Sequence, residues 1–265
     1  MPIKLSVPVH RISQKEFHAV DELVTRMAFD IHNEFGRFCD ERIYQRELLY
    51  RCESRGIKGA SEAEIRVSFD TFSKSYFIDL LLDNCIIYEL KTVKALTGEH
   101  RKQILNYLLL ANLAHGALIN FRPVSVQREF ASTRLDADDR FKVAFIEDHW
   151  KTLDDCSSRF RNLMENLVKE WGAFLDSNLF TEAVTHFFGG EDHVVSPVPI
   201  IEGDRTLGLQ KVRLLNPETS FTISATTKNI DYYRSHIKRF LDHTPLKTVQ
   251  WVNLNQHKIE FRTVI

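Results

Sequence analysis

The chain has 265 residues, of which 43% are hydrophobic and 27% charged, a composition typical of a soluble globular protein with one or two domains. Its formal net charge is −1, which excludes a global basic field, so any contact with nucleic acid must come from a local patch. No signal peptide opens the chain and no apolar run reaches membrane-spanning length, so we expect no membrane contact. The four cysteines lack CxxC or zinc spacing, as expected of reduced thiols in a cytoplasmic protein.

The first predicted elements are an edge strand and two helices. Residues 3–9 alternate weakly between apolar and polar side chains, which favours an edge strand. Residues 13–35 carry apolar side chains at helical spacing, and Ser13 with Glu16 forms a capping box at the start. A second helix is predicted over residues 38–55.

A strand over Ala63–Phe72 and a β-hairpin over Tyr76–Val93 follow. The hairpin is predicted because two apolar runs flank Asp83-Asn84, a pair that supports a tight reversal. The three segments together predict three antiparallel neighbours in a sheet.

Three charged residues interrupt the apolar runs of the hairpin, namely Asp79, Glu89 and Lys91. A charge on an apolar strand is costly unless it is paired or binds an ion. A two-residue loop would pair Asp79 with Tyr88 and put it on the face opposite Glu89, whereas a three-residue loop or a bulge would put all three charges on one face. We predict the one-face arrangement, because two converging carboxylates make a site for Mg²⁺ or Mn²⁺. Considered alone, these residues leave open, and even favour, an internal ion pair of Lys91 with Glu89 or Asp79.

The next elements are a helix over Glu99–Leu113 and strands over Gly116–Phe121 and Val124–Phe130. The helix between the hairpin and the following strand makes a βαβ crossover. The first half is therefore predicted to be an α/β domain, with a mixed sheet flanked by helices.

The hairpin charges also resemble a known pattern. Asp79 followed by Glu89-Leu90-Lys91 resembles the signature of the PD-(D/E)XK nuclease superfamily. The surrounding segments, over about the first half of the chain, resemble in order and spacing the GxxExxY family of that superfamily: His32-Asn33-Glu34-Phe35-Gly36, Glu41-Arg42-Ile43-Tyr44, residues 96–108 and residues 116–121. The glycine that names the family falls at Phe38, whereas Gly36, Glu41 and Tyr44 fit. The resemblance implies a restriction-endonuclease-like fold and a nuclease that uses Mg²⁺ or Mn²⁺.

The resemblance also implies roles for individual residues. Asp79, Glu89 and the Leu90 carbonyl would bind the metal, Glu41 would be a supporting ligand or would contact the ligands without binding the metal, and Lys91 would orient the attacking water. Gln103 and Tyr107, which share a helix face at i and i+4, would position the substrate phosphate. Further substrate contacts are assigned to His100, Arg101 and Lys102, which add positive charge at the expected cleft, and to Tyr44. The alternatives are a solvated Glu41 paired with Arg42 or Gln45, and a mostly apolar helix with one buried tyrosine.

The second half resembles a degenerate copy of the first. After a polar linker at 132–139, the order of matching segments recurs, which predicts an internal duplication with domains 1–131 and 140–265. Residues 35–44 match 171–180, 100–108 match 233–241 and 118–120 match 251–253, while Phe141–Ile146 stands for the edge strand. An unrelated α+β domain is the alternative.

The copy lacks the residues of the predicted site. Glu41, Tyr44, Gln103 and Tyr107 correspond to Ser177, Phe180, His236 and Phe240, and Ser224 and Thr226 fall nearest Glu89 and Lys91. We therefore expect a catalytically inactive half that acts as an intramolecular pseudo-dimer partner or supplies basic residues to substrate: Lys211, Arg213, Arg234, Lys238 and Arg239.

The predicted function is metal-dependent hydrolysis of nucleic-acid phosphodiester bonds, with DNA as the expected partner. The competing hypothesis is a non-catalytic nucleic-acid-binding or protein-interaction module that retains the fold.

Overall fold

The computed structural model describes residues 2–265, so Met1 of the predicted first domain lies outside the described residues. The chain divides into two compact units. Unit 1 comprises the chain up to Ser68 together with Ser73–Asp139, and unit 2 comprises Phe69–Phe72 together with Arg140–Ile265.

Unit 1 is built on one six-stranded mixed sheet. Its elements in chain order are β1 (Ile3–Leu5), α1 (Gln14–Phe35), α2 (Glu41–Glu53), β2 (Gly59–Phe69), β3 (Phe72–Leu82), β4 (Ile86–Lys91), α3 (Gly98–Ala111), β5 (His115–Asn120) and β6 (Gln127–Ser132). The strands lie in the order β1-β2-β3-β4-β5-β6, with β4 and β5 parallel. The predicted α/β arrangement with a mixed sheet is confirmed for this unit.

Helix α1 begins and ends where the sequence predicts. The Ser13 backbone N–H donates to the Glu16 carboxylate (2.8 Å), and Ser13 Oγ accepts from the Glu16 N–H (3.3 Å), so the predicted capping box is confirmed. Gly36 ends the helix at φ 73°, a left-handed conformation that glycine adopts without steric cost. The buried side of α1, which includes Val24 and Ile31, packs in one core with apolar residues of β3, β4 and β5.

Several predicted boundaries shift. Helix α2 starts at Glu41 because Asp40 is its extended N-cap residue. The strand predicted over 63–72 is two strands, since the chain reverses at Asp70, which has φ 46°. The linker predicted at 132–139 is partly structured, because β6 ends inside it and a short helix begins there.

Unit 2 is built on a second six-stranded mixed sheet. A short helix, α4 (Ala137–Phe141), spans the boundary, and the elements that follow are β7 (Ala144–His149), α5 (Asp155–Trp171), α6 (Ser177–Phe187), α7 (Glu191–Val194), β8 (Val195–Glu202), β9 (Arg205–Asn216), β10 (Thr219–Ser224), α8 (Ile230–Asp242), β11 (Thr248–Asn255) and β12 (Lys258–Val264). The strand order is β7-β12-β11-β10-β9-β8, with β7 parallel to β12 and β10 parallel to β11.

The edge strand of unit 2 differs from its prediction in extent and in place. Phe141 belongs to α4, so the strand begins at Ala144. It pairs with β12, the last strand of its unit, whereas β1 pairs with β2. Within residues 2–265, every helix is too short or too polar to cross a lipid bilayer.

Candidate active site

The β3–β4 hairpin closes with a three-residue loop. The register pairs Leu80 with Tyr88 and leaves residues 83–85 as the loop, which confirms the predicted loop length. Continuing this register by one residue sets Asp79 opposite Glu89, so both side chains leave the same face of the sheet.

Lys91 joins the two carboxylates on that face. Its ammonium Nζ lies 2.8 Å from Glu89 Oε1 and 3.7 Å from Asp79 Oδ2. The Leu90 backbone N–H donates to Asp79 Oδ2 at 2.7 Å, so β4 itself fixes the aspartate. The predicted contact of the Leu90 carbonyl with a metal ion stays a prediction.

Glu89 is the most deeply buried of the three, with 1% of its surface exposed. Its Oε1 accepts hydrogen bonds from Lys91 and from Gln103 Nε2 at 2.7 Å, while its buried Oε2 accepts none; a hydrogen bond between the Glu89 and Asp79 carboxyls lowers the pKa of Asp79. Burial, followed by the charge of Asp79, raises the pKa of Glu89 to about 8. Burial also raises the pKa of Asp79, although Lys91 opposes this effect.

Helix α3 presents Gln103 and Tyr107 to Glu89. Gln103 Nε2 also lies 3.1 Å from the Tyr107 hydroxyl, so one amide touches both groups. Burial raises the pKa of Tyr107, and the hydrogen bond with Gln103 lowers it. The two residues predicted to share a helix face therefore lie at the carboxylates.

Helix α2 brings Glu41 to the same place. Burial raises the pKa of Glu41, while the charge of Lys91 and a hydrogen bond from the Thr92 backbone lower it. The alternative of a fully solvated helix charge does not fit this environment. We call the six residues that meet here the carboxylate cluster: Glu41, Asp79, Glu89, Lys91, Gln103 and Tyr107.

The comparison with protein families points to the same part of the chain. Residues 18–133 match the model of the PD-(D/E)XK nuclease superfamily. The match includes every member of the carboxylate cluster and ends before Arg140, where the main part of unit 2 begins. No curated protein and no solved structure matches the chain. The resemblance to the GxxExxY family stays a prediction.

PD-(D/E)XK nucleases generally use divalent metal ions, so the cluster has to be tested for its fit to one. Carboxylate oxygens are the ligands that Mg²⁺ and Mn²⁺ prefer, and the partnerless Oε2 of Glu89 is a buried acceptor that a cation would satisfy. Across residues 2–265, however, no three Asp, Glu, His or Cys side chains are arranged as a metal-binding group. The Lys91 ammonium lies beside both carboxylates and is the internal counter-charge of this arrangement. The donor chemistry fits a cation, provided that the side chains adjust to it.

Tyr44 was predicted to contact substrate, but the structure places it in the core. Its side chain is fully buried and stacks on Phe121 with ring centroids 4.3 Å apart. The hydroxyl donates to the Gly36 carbonyl (2.7 Å) and accepts from the Cys39 N–H (3.2 Å). Tyr44 therefore stabilises the turn between α1 and α2. Because its side chain is buried and its hydroxyl already has two hydrogen bonds, it cannot contact a substrate.

The three predicted cationic contacts lie at the start of α3. His100 Nδ1 accepts from the Thr97 N–H (3.0 Å), whereas Arg101 pairs with Glu129 (2.8 Å) and Lys102 with Glu99 (2.7 Å). The two ion pairs lie at the surface, where such pairs contribute little stability, so phosphate groups can compete for these cations. Their contact with substrate stays a prediction.

The sequence predicted no role at the site for three residues near the cluster, Gln45, Glu62 and Asn120. The buried Gln45 donates from Nε2 to the Asp79 carbonyl (2.6 Å) and to the carboxylate of Glu62 (3.1 Å). Asn120 accepts from the Val93 N–H (3.1 Å) and donates to the Val93 carbonyl (2.8 Å), which holds the chain just beyond Lys91. Spacing offered one signal, because Gln45 lies four residues after Glu41 on α2 and so on the same helix face.

Proposed function

We propose that this protein is a divalent-cation-dependent phosphodiesterase that hydrolyses nucleic acid, with DNA as the expected substrate. The observation that carries the proposal is the buried Glu89 Oε2, which has no donor although Asp79, Lys91 and Gln103 surround its carboxylate. A bound cation would satisfy this oxygen.

Asp79 and Glu89 are the proposed cation ligands, with the Leu90 carbonyl and Glu41 in support. When bound, a magnesium or manganese ion supplies positive charge that neutralises the scissile phosphate and lowers the pKa of a water molecule. The two carboxylates must be ionised to serve as ligands, which the raised pKa of Glu89 opposes in the absence of the cation.

Lys91, Gln103 and Tyr107 are the proposed groups that act on the reacting atoms. The Lys91 ammonium is anchored by Glu89 at 2.8 Å, so it orients a water molecule and stabilises the negative charge that develops on the phosphate. Gln103 Nε2 donates to Glu89 and to the Tyr107 hydroxyl, which leaves the phenol O–H as the neutral donor for a phosphate oxygen and makes Gln103 the residue that positions it. The water oxygen forms a bond to phosphorus as the bond from phosphorus to the ester oxygen breaks; the water releases a proton to solvent, and the leaving oxygen takes one up from solvent.

A cleavage assay tests this proposal. Labelled single-stranded and double-stranded DNA and RNA are incubated with the wild type, Asp79→Asn, Lys91→Ala and the control Lys58→Ala, in Mg²⁺, in Mn²⁺ and in EDTA. Lys58 is an exposed lysine outside the carboxylate cluster, so its variant controls for loss of charge. We expect cation-dependent cleavage by the wild type and Lys58→Ala only. Cleavage by the Asp79→Asn variant, or no cleavage of any substrate by the wild type, would contradict the proposal that the protein is a nuclease.

The second candidate is a module that binds nucleic acid or protein without cleavage. Two observations favour this candidate. Within residues 2–265, no three Asp, Glu, His or Cys side chains are arranged to bind a metal ion, and the Lys91 ammonium already forms an ion pair with Glu89. Binding of a nucleic acid that is unchanged by EDTA and by Asp79→Asn, without cleavage, supports this candidate.

We also infer that unit 2 is a degenerate copy of unit 1. Leaving aside α4 and α7, the two units have the same order of elements, a strand, two helices, three strands, a helix and two strands. Their first helices end in the same way, at Gly36 with φ 73° and at Gly172 with φ 81°. The different position of β1 and β7 is the one topological departure.

An asparagine bridge that recurs at the same position supports the duplication. Asn120 bonds both backbone groups of Val93, and Asn253 accepts from the Thr226 N–H (2.9 Å) and donates to the Thr226 carbonyl (2.8 Å). Each asparagine lies opposite the last residue of the neighbouring parallel strand, β4 in unit 1 and β10 in unit 2. Each also lies 27 residues after the residue whose backbone it bonds. Such a side-chain bridge does not follow from strand order alone.

This bridge favours an alignment of the two units that differs by two residues from the predicted one. Opposite the two asparagines stand Lys91 in unit 1 and Ser224 in unit 2, so Glu89 corresponds to Thr222 and not to Ser224. Hydroxyl groups replace the acid and the ammonium, and unit 2 therefore lacks these cation ligands. Its role as a pseudo-dimer partner or as a source of basic residues stays a prediction. Superposition of the two sheets without β1 and β7 tests the duplication.

A further inference from the structure

The β2 strand carries an irregular residue beside the carboxylate cluster. Ala63, Ile65 and Val67 alternate inward along β2, but this alternation stops at Ser61 and Glu62, which are both exposed. Glu62 has φ 54°, a left-handed conformation that is uncommon for a residue with a side chain. At this point the strand departs from regular geometry and presents a carboxylate to solvent.

Gln45 connects this carboxylate to the cluster. Its Nε2 donates both to Glu62 Oε1 (3.1 Å) and to the carbonyl oxygen of Asp79 (2.6 Å), so one nitrogen lies between the two acidic residues. Gln45 stands one helical turn after Glu41 on α2. Gln45 therefore links the Glu62 carboxylate to the backbone of Asp79, a proposed cation ligand.

The charge of Glu62 acts on the same site. Burial is the main cause that raises the pKa of Asp79 and of Glu41, and the negative charge of Glu62 adds to it at both groups. The independent sign of a missing ligand is the buried Glu89 Oε2, which has no partner. An excess of carboxylates around a single ammonium requires protons or cations to balance it.

We propose that Glu62 is a further cation-binding carboxylate of this site and that Gln45 positions it. The inference rests on the cation-binding part of the proposed function. Because Glu62 is exposed, a hydrated ion can reach it without opening the core.

Direct Mn²⁺ titration by calorimetry, in the absence of nucleic acid, tests the proposal with three variants. Glu62→Gln keeps an oxygen that can accept the Gln45 hydrogen bond but removes the charge. Glu62→Gly removes the carboxylate and suits the left-handed backbone, so it retains a folded chain. Glu64→Gln is the matched control, because Glu64 lies two residues along β2 and is bonded to Arg66 and Ser75 instead of the cluster.

We expect both Glu62 variants to bind Mn²⁺ about 10- to 100-fold more weakly than the wild type, the range typical of groups that support a metal site. Glu64→Gln should bind as the wild type does, and Glu62→Gly should unfold at an equal or higher temperature. Unchanged affinity in Glu62→Gln overturns this proposal and reduces Glu62 to a structural partner of Gln45. If the wild type binds Mn²⁺ and cleaves nucleic acid while the Glu62 variants are unaffected, only this inference fails. If the wild type binds no Mn²⁺, the proposed function fails with it.

Discussion

The protonation of Glu89 makes a prediction that requires no substrate. The perturbation is Glu89→Gln, which removes the ionisable group but keeps an oxygen that can accept from Lys91 and Gln103. Burial raises the pKa of Glu89 from its ordinary value of 4.5 to about 8. Between these values the folded chain retains a proton that the unfolded chain releases, so the free energy of unfolding of the wild type falls as the pH rises.

The magnitude follows from the width of this window. One unit of pKa corresponds to about 1.4 kcal/mol, so the wild type should lose roughly 3 kcal/mol relative to Glu89→Gln between pH 5 and pH 8. Titrating groups that do not contact Glu89 are common to both proteins and cancel in the difference. Bound cation should reverse the effect in the wild type alone, since a cation stabilises the ionised carboxylate.

Urea unfolding followed by circular dichroism at pH 5, 6, 7 and 8, in EDTA, measures this difference. Glu64→Gln is the control, because hydrogen bonds from Ser75 and Arg66 lower the pKa of Glu64 and move its titration below this range. Its difference from the wild type should therefore stay flat. A flat difference for Glu89→Gln as well would mean that Glu89 is ionised throughout, as in an ordinary ion pair with Lys91, and would refute the reasoning that its carboxylate awaits a cation.

Three further predictions concern the surroundings of the site. Tyr44→Phe removes the hydroxyl that donates to the Gly36 carbonyl and accepts from the Cys39 N–H, and should lower the free energy of unfolding by about 1–2 kcal/mol in a urea titration, with unchanged Mn²⁺ affinity; weakened Mn²⁺ binding would contradict a purely structural role. Asn120→Ala removes both bonds to the backbone after β4 and should weaken Mn²⁺ binding while the chain remains folded by circular dichroism; unchanged affinity would show that this backbone holds its place without the bridge. Burial raises the pKa of Cys52 to about 12 and of Cys85 to about 11, so mass spectrometry should find both unmodified by iodoacetamide at pH 8 until urea is added; rapid labelling of the native protein would contradict their burial.

Local patterns were sufficient where the interacting atoms are close in sequence. The α1 capping box was read directly from Ser13 and Glu16, because its partners are three residues apart. The one-face arrangement of Asp79 and Glu89 depended only on the length of one hairpin loop. Sequence alone did not decide between a cation site and an ion pair, because both require the same three charges on one face.

Local sequence patterns do not predict contacts between distant segments. Gln45 reaches the Asp79 carbonyl across 34 residues of chain, and Asn120 reaches Val93 across 27. Both are polar residues with nothing unusual in their immediate neighbours. The error at Tyr44 has the same origin, because its hydroxyl partner lies at the end of the preceding helix and its ring partner is Phe121 on a distant segment.

The sequence by itself determined the hairpin, the acidic and basic residues that it carries, and the helix face of Gln103 and Tyr107, because periodicity and turn chemistry act over a few residues. Only the tertiary structure decided which of these groups lose their water. The fold buries Glu89 beside Gln103 of α3, leaves one of its oxygens without a hydrogen-bond donor and raises its pKa, and these effects depend on the summed proximity of segments that no local pattern connects.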